Sequence, residues 1–338
     1  MSDFVMTHSG ARASTPRGVF ARHPCRWFFL IALVPAVVVA APGNMSYVAQ
    51  VNVDGFAALA ALLVAWGSDT GAKVPGRIGA RIAVFVVALT VLLAVTGWPF
   101  GGSVSLWVAL PTSLIIAFAL SGAYSPSVAL RDLVRPLLGL RASAAAWIVA
   151  LLAWPLLGAA VIAASHIGAP ANVHGGWVFP ASILLWAVLT ALPAAIGWYG
   201  FAARRLLLRT SALNTALLVG LLPWLAVVLP LSVWSTPVST FVLRTSLDSL
   251  ALAVVAVWVY QRSRGALLPV LLLLIETSVV AWAVFVWSAP RIYPFGRPDL
   301  IVAGLHCAFA FGLLLQGRMW RRPMAMPQAM SDAGGQSA

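Results

Sequence analysis

Ten apolar runs divide this chain, and that succession limits its fold more than any other feature. They are Trp27–Ala41, Val51–Trp66, Ile82–Trp98, Ser103–Leu120, Ala144–Ala164, Val178–Ala203, Ser211–Val233, Thr245–Tyr260, Ala266–Ser288 and Leu300–Gln316. A helix needs roughly 20 residues to cross a hydrocarbon core, and inside lipid only helices and closed barrels satisfy their own backbone polar groups. With 62% hydrophobic and 9% charged residues, and a mean hydropathy of +0.97, the chain has too little polar surface to coat a soluble domain. The expected fold is an all-α membrane protein, a polytopic bundle of about ten transmembrane helices.

The charges fix its expected orientation. Of the 21 lysines and arginines, all but Arg244, Arg291 and Arg297 fall in the first arm, the tail and every second connection. Arg12, Arg17, Arg22 and Arg26 lie in the arm, and Lys73, Arg77 and Arg81 follow the second run. Then come Arg131, Arg135 and Arg141, Arg204, Arg205 and Arg209, Arg262 and Arg264, and finally Arg318, Arg321 and Arg322. Alternation of this kind places both termini in the cytoplasm and makes the number of spans even. A net charge of +13 would suggest nucleic acid in a soluble protein. Here topology accounts for it, and no nucleic-acid partner is expected. Lys73 is the one lysine in a chain rich in alanine and arginine, a bias suited to a GC-rich bacterial genome. The expected location is therefore a bacterial inner membrane, with the lipid bilayer as the first partner. Residues 1–26 read as a disordered basic cytoplasmic arm, 27–130 as N-terminal transmembrane helices and 323–338 as a disordered tail. Trp27–Ala41 reads as a retained first helix in preference to a cleaved signal. Trp27, Trp66, Trp98, Trp177, Trp234, Trp258, Trp287 and Trp320 stand near run ends, as an interfacial aromatic belt would.

Three segments carry something more specific. In Thr190–Leu206, TALPAAIGWYGFAARRL, Gly197, Trp198, Gly200 and Phe201 precede Arg204 and Arg205. In Gly220–Pro230, Trp224 precedes Leu229 and Pro230. In Val257–Leu274, Tyr260, Arg262, Arg264, Gly265, Leu267, Leu268 and Pro269 form a dense set. Together they resemble the motifs of the CAAX-protease and bacteriocin-processing (CPBP) family of intramembrane metalloproteases. Val134–Leu152, with Pro155 beyond it, is similar to that family's basic amphipathic lead-in. The resemblance covers residues 131–290, which implies a CPBP-like transmembrane core there; 291–322 then holds the last helix and its basic end.

What the resemblance implies about chemistry is a loss. The family's paired glutamates fall on Ala194 and Ala195, its arginine on Tyr199, its histidines on Val228 and Leu274, and its asparagine on Ser278. Cleaving a peptide bond needs an activated water and a proton carrier, supplied by carboxylate and imidazole. Alanine, valine and leucine supply neither, and loss of even one stabilising group typically costs orders of magnitude in rate. Zinc or another divalent metal is expected only where that chemistry is intact, so no cofactor is expected. The implied protein is a non-catalytic pseudoprotease that binds a membrane peptide or protein partner, with Gly197, Trp198, Gly200, Phe201, Trp224, Pro230, Gly265 and Pro269 as scaffold.

Two other readings stay open. Glu276, the one glutamate, and Asp248 fall within apolar runs, where ionisable groups are costly and suggest function. Together with Pro111, Pro155, Pro223 and Pro269 inside such runs, they suit a transporter or carrier. A protease with relocated groups is the other. For Glu276 the bland expectation is a protonated or hydrogen-bonded acid between helices, with Thr277 or Ser278 as candidate partners; for Asp248, an ion pair with Arg244; for Asp54, an interfacial place. His166 and His174, and His306 beside Cys307, do not have the spacing of a zinc site.

Overall fold

The computed structural model describes residues 19–40, 46–68, 78–97, 106–165, 181–234, 239–287 and 297–321. Among these residues the fold is all-α, with no β-strand. After one turn at Val19–Arg22 come α1 (Pro24–Ala40), α2 (Ser46–Gly67), α3 (Ile78–Gly97) and α4 (Leu106–Ser121). Next are α5 (Val128–Val134), α6 (Ala144–Ser165) and α7 (Ala181–Ala194), followed by α8 (Ala212–Trp234), α9 (Ser239–Arg262), α10 (Leu268–Trp287) and α11 (Arg297–Gly317). Among the described residues every apolar run is helical over most of its length, as expected of alanine- and leucine-rich sequence with strong helix propensity. The short α5 is the addition. Of the expected disordered arm, residues 1–18 lie outside the described residues and the last few are helical; the tail from 322 lies outside them too.

By length and composition, Ala144–Ala163 is the one stretch among the described residues that is long and apolar enough to cross a membrane. Shorter apolar stretches occupy α1 to α4, α8, α10 and α11. Several helices keep large apolar side chains on their outer face. On α3 these are Ile78, Ile82, Val86 and Val91, and on α6 Ile148, Leu152 and Leu156, with Ile82 59% and Leu156 64% exposed. The four-residue spacing of Ile78, Ile82 and Val86, and of Ile148, Leu152 and Leu156, puts each of these sets on one stripe.

The centre is α2. Its Val53, Ala57, Ala60, Ala61 and Val64 are fully enclosed, packed by α1, α4, α7 and the segment that follows α7. Small side chains let the backbones approach closely and keep contact density high. Around it, α9 pairs with α8 and α11, and α10 with α6 and α7. Cys25 and Cys307 are both free.

The connections that carry arginine meet at one end of the bundle. Ser143 N donates to Arg262 O at 3.1 Å, Leu267 N to Pro136 O at 2.9 Å, and Leu213 N to Met319 O at 2.9 Å. These bonds tie the connection before α6 to that before α10, and the start of α8 to the end of α11. Trp258, expected in an exposed belt, is instead buried at this end. The Arg262 guanidinium lies 4.3 Å over its ring; Gly317 leaves space for it, since a Cβ there would come within 3.1 Å of Trp258 Cδ1.

Candidate functional site

Beyond Ala194 the backbone of α7 widens into a π-helix, Ala195–Ala203, before a last α-turn at Arg204–Leu206. Pro193 inside α7 has no N–H for the α ladder and crowds the carbonyl four residues back. π-helical turns are rare and concentrate at functional sites. This one covers the sequence AIGWYGFAA, which holds Gly197, Trp198, Gly200 and Phe201.

All nine of its residues are buried, and packing explains each of the four scaffold positions. At Gly197 a Cβ would fall 2.5 Å from the Ala57 carbonyl carbon, so only glycine lets α2 come this close. At Gly200 a Cβ would meet Leu267 Cδ1 at 2.9 Å. Phe201 stacks on Phe28 at 5.1 Å, and Trp198 meets Phe28 edge-on at 5.3 Å. Trp198 Nε1 donates to Asp54 Oδ1 at 3.1 Å. Asp54 is thus a correction: expected at an interface, it is 8% exposed in the bundle centre. Its partner lies 144 residues away, beyond the reach of any local sequence rule.

The six positions left without catalytic groups divide as follows. Ala194, Ala195 and Tyr199 are buried, Ala195 completely. Leu274 is buried on α10 and Ser278 half-buried, its hydroxyl donating to Leu274 O at 3.5 Å. Val228 is on α8, its side chain outside the described residues. Both α8 and α10 pack against the π-helical segment, so the elements adjoin. A cavity of about 410 Å³ opens beside that segment, and none of the six lines it. Its walls include Ala65, Asp132, Leu133, Phe201, Arg204 and Arg205.

The remaining scaffold positions are local. Gly265 has φ +84°, a left-handed conformation that favours glycine, in the turn after α9. Pro269 is the second residue of α10, where its missing N–H costs nothing, so it starts a helix instead of breaking one. Trp224 is half-buried on α8; the side chain of Pro230 lies outside the described residues.

The two ionisable candidates are separate from each other. Glu276 is half-buried on α10, and its Oε2 is enclosed without a hydrogen-bond partner among the described residues. Neither neighbouring hydroxyl fills the expected role: Thr277 Oγ1 donates to Leu273 O at 2.7 Å, and Ser278 also bonds back to its own helix. Asp248 Oδ1 lies 3.0 Å from His306 Nδ1, joining α9 to α11. The His306 ring stacks on Trp154 at 4.8 Å, and Cys307 Sγ approaches Leu247 O at 3.7 Å. The side chain of Arg244, the expected partner, lies outside the described residues, as do His166, His174, Arg291 and Lys73. Among the described residues no three histidines, cysteines or carboxylates gather where a metal could bind.

No protein-family model matches this chain, and no curated protein matches it.

Proposed function

We propose that this chain is a multi-pass protein of a bacterial inner membrane, a CPBP-like pseudoprotease that binds a membrane peptide or partner without cleaving it. The outward stripes on α3 and α6 support the membrane half of this reading. Contiguous large apolar side chains facing outward fit lipid, and would make a soluble protein aggregate. The gathering of arginine-bearing connections at one end supports ten crossings with both termini on the cytoplasmic side.

The observation that carries the non-catalytic half is the burial of Ala194, Ala195, Tyr199 and Leu274. None of these four side chains is a carboxylate or an imidazole that could activate water, and the nearby carboxyl of Asp54 is held by Trp198 Nε1. A binding role fits the cavity beside the π-helical segment, at the arginine-bearing end.

The test uses purified full-length protein, zinc and a quenched-fluorescent farnesylated hexapeptide, with a photoreactive copy of the same peptide. Labelling near the cavity without cleavage is the expected result. Turnover that Glu276→Gln abolishes would overturn the non-catalytic reading and establish relocated chemistry. A transporter remains the second reading, favoured by the unpartnered Glu276 Oε2 and the Asp248–His306 pair.

A further inference from the structure

The cavity beside the π-helical segment has a two-sided chemistry that peptide binding does not require. Arg204 and Arg205, consecutive in sequence, both line it. Arg204 Nη1 reaches the Asp132 backbone oxygen at 3.4 Å. Arg205 lies 3.7 Å over the Phe201 ring, with Nη1 at 3.5 Å from Phe201 O. Among the described residues neither guanidinium has an ion-pair partner, and Asp132, the one carboxylate in the wall, pairs with neither. A guanidinium offers five donors, so most of this capacity is unspent. Held by an aromatic face and a backbone carbonyl, Arg205 is pre-organised toward the cavity and loses little freedom on meeting an anion.

Ala65, Val128, Leu133 and Leu208 give the same cavity an apolar lining. Leu208 is also exposed, as are Leu138 and Leu140 at the same end. Leucines left in the open beside arginines suit the boundary between headgroups and acyl chains. A free anion would use the guanidiniums and leave the apolar wall empty; an amphiphile with a phosphate head would use both.

We propose that this cavity binds the phosphate headgroup of an anionic phospholipid, Arg204 and Arg205 holding the phosphate and the Leu133–Leu208 wall taking the first carbons of the acyl chains. Basic pockets between helices at the cytoplasmic side are a recurrent form of such recognition. The inference rests on the membrane reading above, and the experiment separates the two.

Full-length protein in neutral detergent would be titrated with dioctanoyl phosphatidylglycerol, dioctanoyl phosphatidylcholine and inorganic phosphate, following the thermal midpoint. Phosphatidylglycerol raises the midpoint saturably, and the other two act only at much higher concentration. Arg204→Gln weakens the phosphatidylglycerol response about fivefold and the double change with Arg205→Gln about 25-fold, from the usual contribution of one basic residue near an anionic surface. Arg204→Lys keeps most of it, and Arg141→Gln, exposed at the same end but off the cavity, changes nothing. Equal responses to the two lipids, or equal losses in the Arg141 variant, would overturn the site. Phosphate matching phosphatidylglycerol would overturn the lipid and leave a free anion as ligand. Carbonate extraction of membranes tests the other reading. A chain that washes out while Arg204-dependent binding persists refutes the membrane and keeps the site.

Discussion

At the scale of single residues, the centre of the molecule depends on one carboxylate and one indole. Asp54 is enclosed by apolar groups, and Trp198 is the donor that meets it. Trp198→Phe keeps most of the packing but leaves the carboxyl without that bond, a loss of about 1–3 kcal/mol. Thermal midpoints in detergent check this: Asp54→Asn, which still offers an acceptor, should fall much less than Trp198→Phe. Equal midpoints for Trp198→Phe and wild type would show that the bond contributes nothing. Gly197→Ala tests the neighbouring contact. Its methyl would collide with the Ala57 backbone, so α2 must move, at a cost of about 1–3 kcal/mol or more, and monodisperse protein on size exclusion should decline. Asp54 and Trp198 were each visible in the sequence, but their pairing was not. An acid near the start of an apolar run suggests an interface, and only the fold brings residues 54 and 198 together.

At the scale of elements, the helices were legible and their joins were not. Among the described residues each apolar run is helical over most of its length, as its alanine and leucine content favours. The π-helical segment escaped notice, since one extra residue per turn leaves no mark in composition; Pro193 and two glycines were the visible trace. Asp248 adds a contact that no local rule supplies: the structure ties it to His306 across α9 and α11, while the side chain of Arg244, its expected partner, lies outside the described residues. A double-mutant cycle of Asp248→Asn and His306→Ala should give a coupling of about 1 kcal/mol, the scale of interhelical hydrogen bonds in membranes. Zero coupling would mean that the two helices are held by packing alone.

At the scale of the whole molecule, charge and apolar surface are separated. Arginines collect where the connections before α6, α8 and α10 meet, and large apolar side chains face outward along the helices between. Reporter fusions check the orientation this implies: green fluorescent protein joined after Leu208 or Arg264 should fluoresce, and alkaline phosphatase at the same places should be inactive. Active phosphatase at either would reverse the proposed topology. Gly197 and Phe201 act at this scale too, since they join the second half of the chain to α2 and α1.

The bond between Asp54 and Trp198 sets an order of events during synthesis. Ribosomes add about 5–20 residues per second, so the 144 residues between them take roughly 7–30 s to appear. Throughout that interval α2 has been made and its acid has no indole to meet. A nascent chain stalled before α7 therefore carries Asp54 without the indole that meets it in the finished fold.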